Sequence, residues 1–105
     1  MIANTPTAPY YAVIFTSVRT AVEEGYNDMA AKMVELAMQQ PGYLGHESAR
    51  NEIGITVSYW SSLEAIRSWK QVTDHAVAQQ MGREKWYSSY KTRISLVERD
   101  YGFNV

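Results

Sequence analysis

The chain contains no cysteine in 105 residues. That absence excludes a disulfide framework, a thiolate metal site, an iron–sulfur cluster and a cysteine nucleophile, and it fits a reducing compartment. Only two histidines occur, His46 and His75, with no HxH or HxxxH spacing, so no dedicated metal site is expected. Glycines are few: Gly42, Gly45, Gly54 and Gly82 stand singly at turns and in strands, and none belongs to a phosphate-cradling loop. Neither sign of charge is in excess. Ten basic and 11 acidic side chains leave a formal net charge of −1, too little to draw nucleic acid or an anionic membrane. No apolar run has the length of a membrane span, and the first residues show neither the basic nor the apolar segment of a secretory signal. A cytoplasmic protein is expected.

Aromatic residues are plentiful, with eight tyrosines and three tryptophans. Such rings, apolar with one polar atom, suit half-wet surfaces: pockets and interfaces. The length allows one domain with one modest core. Residues 1–9, carrying Pro6 and Pro9 among small polar residues, read as a mobile leader, and 10–105 as a single domain. Tyr10–Val18 is β-branched and aromatic on both alternating faces, as in a strand covered on both sides. Thr20 and Glu23 have capping-box spacing and open a helix running to about Gln40, stopped by Pro41-Gly42. Tyr43–Arg50 and Ile53–Trp60 form a hairpin around Asn51-Glu52. Ser61 and Glu64 repeat the capping box and start a second helix. A break near Val72-Thr73, a further helical segment to Met81 and a Gly82 terminator follow. Lys91–Arg99, led in by Tyr87–Tyr90, is the last strand.

The order β-α-β-β-α-β predicts an α+β, ferredoxin-like fold: a four-stranded antiparallel sheet with both helices on one face. The other face should then be polar in a monomer. Instead both faces are apolar, with Tyr11, Val13 and Phe15 on one side of the first strand and Tyr10, Ala12, Ile14 and Val18 on the other. A homodimer through the open sheet face is therefore expected.

At Pro41–Tyr43 (PGY), Gly54–Trp60 (GITVSYW), Glu64–Lys70 (EAIRSWK), and the terminal GREKWYSSY and LVERDYG, the chain resembles the antibiotic biosynthesis monooxygenase superfamily of dimeric α/β-barrel proteins. The resemblance spans nearly all of Tyr10–Phe103 and implies that fold and sheet-to-sheet dimerisation. It also implies two chemistries. The haem-degrading branch has an asparagine on the first strand, a tryptophan on the helix after the third strand and an axial histidine beyond it. Trp69 matches the tryptophan, but Gln79 falls at the axial position, His75 lies one turn earlier, and the first strand offers Phe15, Thr16 and Ser17 in place of the asparagine. Haem is thereby disfavoured. The quinone-forming branch needs no metal or flavin, because an electron-rich phenolate can itself pass an electron to O₂.

The resemblance thus implies a cofactor-independent monooxygenase acting on a small phenolic or quinol-type aromatic compound. In it His75 moves a proton, Arg93 stabilises the anion and Trp69 supplies ring surface, with Trp60, Tyr90, Trp86 and Gln79 against the substrate. The rival is a non-catalytic dimeric protein whose pocket holds a small hydrophobic ligand. The last strand carries two readings of its own: Trp86, Tyr87, Tyr90 and Arg93 border a cavity, or they pack across the dimer with Arg83, Arg93 or Arg99 paired to acidic groups such as Glu98.

Overall fold

Strand β1 (Tyr10–Arg19) is followed by helix α1 (Tyr26–Met38), strands β2 (Tyr43–Arg50) and β3 (Gly54–Trp60), helix α2 (Leu63–Gln79) and strand β4 (Tyr87–Val97). In the computed structural model the described residues are 1–79 and 85–103, with the backbone alone for 77–79. The expected Met81 end and Gly82 terminator lie outside them. The four strands form one antiparallel sheet in the order β2-β3-β1-β4, the ferredoxin-like arrangement. No helix among the described residues is long and apolar enough to cross a membrane.

Three local expectations are corrected. Helix α1 starts at Tyr26, more than a turn after Thr20, because Thr20 is engaged elsewhere. Its amide donates to the Trp86 carbonyl and its hydroxyl to the Lys85 carbonyl, both at 2.8 Å. Gly25, at φ 77°, makes the turn into the helix that a side-chain cap would otherwise make. Helix α2 is capped by Ser62, whose Oγ accepts from the Ala65 amide at 3.1 Å, rather than by Ser61, whose amide donates to the Gly42 carbonyl. The helix then runs unbroken through Val72-Thr73. The Thr73 hydroxyl donates back to the Lys70 carbonyl at 2.9 Å, and Lys70 pairs with Asp74 one turn on at 2.8 Å, so local interactions span the expected break.

Ala37, Trp60 and Ile66 form the centre of the core, with Tyr11, Val13, Tyr43, Ala65 and Trp69 packed around them. Trp60 is completely buried and its Nε1 donates to Ser58 Oγ at 2.9 Å, so the one polar atom of the indole is satisfied. Burial on this scale stabilises the fold by about 3 kcal/mol. Because Tyr11 and Val13 pack on the core that holds Ala37 and Ile66 of the helices, the strand period of two puts Phe15, Ser17 and Arg19 on the helix side as well. Tyr10, Ala12, Ile14, Thr16 and Val18 lie on the open side.

The two sides are covered unevenly. On the open side, the leader reaches the sheet: the Ala3 amide donates to Glu47 at 2.8 Å, and Thr5 Oγ1 donates to the Tyr10 hydroxyl at 3.0 Å. Tyr10, bonded in turn to Asp100, and Ala12 are buried there. Farther along the same face, Ile55 is 45% exposed and Val18 38% exposed. Strand β4 is exposed from Ser88 to Leu96, including Ile94 and Leu96 on the helix side.

Candidate functional site

The helix-side face ends, beyond the core, in rows of polar and aromatic residues. Antiparallel pairing sets Arg50 opposite Gly54, Gly54 opposite Ser17, and Ser17 opposite Tyr90, so these four cross the sheet in one line. Arg19 and Tyr87 pair in the next row, after a bulge at Val18/Arg19. Arg50 lies across this line: its Nη2 donates to the buried Ser17 Oγ, and its guanidinium passes over Gly54. A Cβ on Gly54 would meet Arg50 Nη2 at 2.0 Å, so glycine there is what lets the arginine lie flat on the strand.

Arg19 approaches from the neighbouring row. Its Cζ sits 3.3 Å from the centre of the Tyr26 ring, and its Nη2 donates to the Val22 carbonyl at 3.0 Å. Its Nε is buried and has no hydrogen-bond partner among the described residues. Four rings cluster at this end of the sheet. Phe15 lies 5.4 Å from Tyr87 and 5.5 Å from Tyr90, Tyr26 lies 6.0 Å from Tyr87, and Tyr87 lies 6.3 Å from Tyr90. Burial pushes the Tyr87 phenol well above the ordinary tyrosine pKa, and its hydrogen bond with Tyr26 adds to this, while the Arg50 and Arg19 charges pull the other way. Tyr87 therefore stays a neutral phenol at working pH. Half-exposed Tyr90, at 47%, and exposed Arg50 open this end to solvent.

The residues expected at the site are distributed over four places. Trp60 and Trp69 stack on one another in the core, 5.7 Å between centroids and 27° between planes. His75 lies on α2 in an outer groove of about 580 Å³ between the helices, lined by Lys32, Leu36, Val72 and Ala76. Trp69 and His75 are six positions apart in one helix, about 120° around its axis, so they face different surroundings. Arg93 pairs with Ile14 and stands on the open side of the sheet, where it borders a small depression with Thr16, Val18 and Lys91. Trp86 is buried, and its Nε1 donates to the Glu24 carbonyl at 2.9 Å. Of the expected set Tyr90 joins the arginine–tyrosine cluster and Trp86 abuts it, edge-on to Tyr26 at 6.5 Å, while the Gln79 side chain lies outside the described residues. Among the described residues no group of three His, Cys, Asp or Glu side chains could hold a metal ion.

Arg19, Arg50 and Tyr26 are site residues that spacing does not point to. One signal was available: Gly54, a lone glycine in a β-branched strand, marks a close approach by something, and that something is Arg50.

Residues 9–81 match the family profile described as antibiotic biosynthesis monooxygenase. A protein of Bacillus subtilis (strain 168), the uncharacterized YqjZ, is 49% identical over 100 residues, covering 93% of this chain and 88% of its own. Among solved structures, PA3566 from Pseudomonas aeruginosa superposes with a TM-score of 0.67 at 16% identity, covering 91% of this chain and 99% of that one. A variant of SnoaB, a cofactor-independent oxygenase from Streptomyces nogalater, superposes with a TM-score of 0.69 at 13% identity, covering 89% and 97%. At such identities the two structures show a shared fold.

Proposed function

This chain belongs to the antibiotic biosynthesis monooxygenase family, and from that premise we propose that it oxygenates a small phenolic or quinol-type compound without a metal or flavin. The observation that carries the reading is the Arg19 guanidinium, laid on the Tyr26 ring beside a cluster of rings open to solvent at Tyr90. A flat phenol would lie against Phe15 and Tyr90, with its oxygen toward Arg19. A fixed cation at that oxygen favours the phenolate, the form that reacts with O₂. Neutral Tyr87 remains a proton donor to the reduced oxygen.

The stoichiometry requires no added reductant. The phenolate passes one electron to O₂; the resulting phenoxyl radical and superoxide combine at a ring carbon bearing hydrogen. The peroxide formed takes up a proton, and its O–O bond breaks with loss of that ring hydrogen as a proton. One oxygen atom becomes the quinone carbonyl and the other leaves as water, so phenol plus O₂ gives quinone plus water. The chain's residues bind the ring, hold the anion and place a proton.

A homodimer is part of the same proposal. Ile55 and Val18 on the open face are apolar and exposed in one protomer, and a second copy would bury them.

The test is oxygen uptake with a panel of hydroquinones and anthrones in the presence of a metal chelator. Uptake with matching quinone formation is the expected result. Absence of uptake across the panel refutes the oxygenase, and saturable binding without uptake would leave a small-ligand-binding protein in its place.

A further inference from the structure

We propose that Arg50, held over Gly54 and anchored on Ser17, forms an anion subsite at the edge of the aromatic cluster, so that the compound bound there is an aromatic acid: a phenolic ring carrying a carboxylate. The inference rests on the site assigned above but adds a second charged group to its ligand.

The geometry is that of a built site. Ser17 is 2% exposed, the only polar residue buried in the protomer among those described, and its Oγ accepts from Arg50 Nη2. That bond takes one of the five N–H donors of the guanidinium and fixes its position, while the residue as a whole remains exposed. Gly54 supplies the clearance, since any side chain there would occupy the volume of Arg50 Nε, Cζ and Nη2. An arginine that served only solubility would need neither a buried anchor nor a cleared strand beneath it.

Among the described residues no carboxylate pairs with either arginine. The ion pair found among the described residues, Lys70–Asp74, lies on α2 away from this row, and Arg19 and Arg50 engage a carbonyl, a ring and a hydroxyl. Two guanidinium groups therefore act on one small region, and both act on Tyr87. Bringing two like charges together without a carboxylate is unfavourable until an anion arrives. A planar fork of donors is suited to a carboxylate, which it can take by two parallel hydrogen bonds. Tyr90 and Phe15 lie in the same and the adjoining row, so a ring seated on them would carry a substituent within reach of Arg50 while its hydroxyl pointed toward Arg19.

The experiment compares gentisate with hydroquinone, which differ by one carboxylate, by titration calorimetry with the full-length protein. The expected result is binding of gentisate at least about tenfold tighter, as charge-assisted hydrogen bonds allow, with the advantage shrinking as salt is raised. Arg50→Gln and Gly54→Ala should each erase the advantage of gentisate over hydroquinone; the second keeps the arginine and moves it, so a general charge effect is separated from a positioned one. Equal affinity for the two ligands in the wild-type protein overturns the proposal, as does a Gly54→Ala protein that keeps the preference. Because the readout is binding, a protein that fails to consume oxygen but prefers gentisate refutes the oxygenase and retains the subsite, and the reverse outcome does the opposite.

Discussion

Trp69 lies on Trp60 with 5.7 Å between ring centroids, and Trp60 beneath it has no exposed surface. The pair joins α2 to β3 at the centre of the core, where Tyr43 closes on Trp60 edge-on at 5.6 Å. Ring surface that could have lined a pocket is thus used for packing. Trp60→Ala should lower stability by about 3–5 kcal/mol, the range for removing a large buried aromatic. Urea unfolding at equilibrium measures this, and a loss below 1 kcal/mol, roughly that of a surface change, would contradict the assignment.

Gly42 should tolerate no side chain. Its φ is 86°, and a Cβ would come within 2.7 Å of both Ala65 Cβ and Ser61 Oγ at the start of α2. Gly42→Ala therefore combines a left-handed backbone with a clash, and a cost of about 1–3 kcal/mol is expected from the backbone alone. Thermal unfolding of Gly42→Ala beside Gly102→Ala, where the added methyl meets nothing within 4 Å, separates the two.

The fold was legible in the sequence because strand and helix periodicities are strong in Tyr10–Val18 and Gly54–Trp60 and the turns carry their own residues, Pro41-Gly42 above all. The helix starts were less so. Thr20 has the right spacing to cap α1, but its hydroxyl donates to the Lys85 carbonyl, distant in sequence, and accepts from the Val22 amide, which holds it in the connection before the helix. The site was least legible. Arg19, Arg50 and Tyr26 come from three elements and meet through strand register, which a one-residue shift would change and no local pattern specifies.

The leader and sheet should respond to pH at both extremes. Glu47 accepts from the Tyr59 hydroxyl at 2.5 Å and from the Ala3 amide at 2.8 Å, and these bonds hold its carboxyl below the ordinary value of 4.5. Its stabilisation is present above that value and is lost as pH falls through the lower folded-state pKa. Tyr59 is pushed up to about 12, first by burial and then by Glu47. Its contribution is complete below the ordinary 10.0 and is lost as pH rises through about 12. Glu47→Gln should flatten the acid limb of stability against pH and lower the Tyr59 titration only part of the way, since burial remains. Phenolate absorbance follows the latter, and an unchanged Tyr59 midpoint would count against the pairing.

The proposed homodimer has its own test. Ile55 is 45% exposed in one protomer and stands opposite Thr16 on that face. Ile55→Lys introduces two like charges across a two-fold contact while leaving the protomer's own core untouched. Light scattering should give a dimer for the wild-type protein and a folded monomer for the variant. A wild-type monomer at micromolar concentration sinks the idea.

Turnover distinguishes Arg19 from His75. The Arg19 guanidinium is the cation assigned to the phenolate, and losing a fixed group that meets developing negative charge costs about 100-fold in turnover. Arg19→Gln should approach that loss, and because the anion is what the cation favours, the pH at which the rate reaches half its maximum should move upward. A change that only loosened the fold would lower the rate at every pH without moving the midpoint. His75, on the outer groove between the helices, is placed to do neither. His75→Ala should leave both the rate and its pH midpoint where they are. If instead His75→Ala abolishes turnover and Arg19→Gln does not, the chemistry belongs to the groove between α1 and α2, and the arginine–tyrosine cluster is a structural feature of the sheet's end.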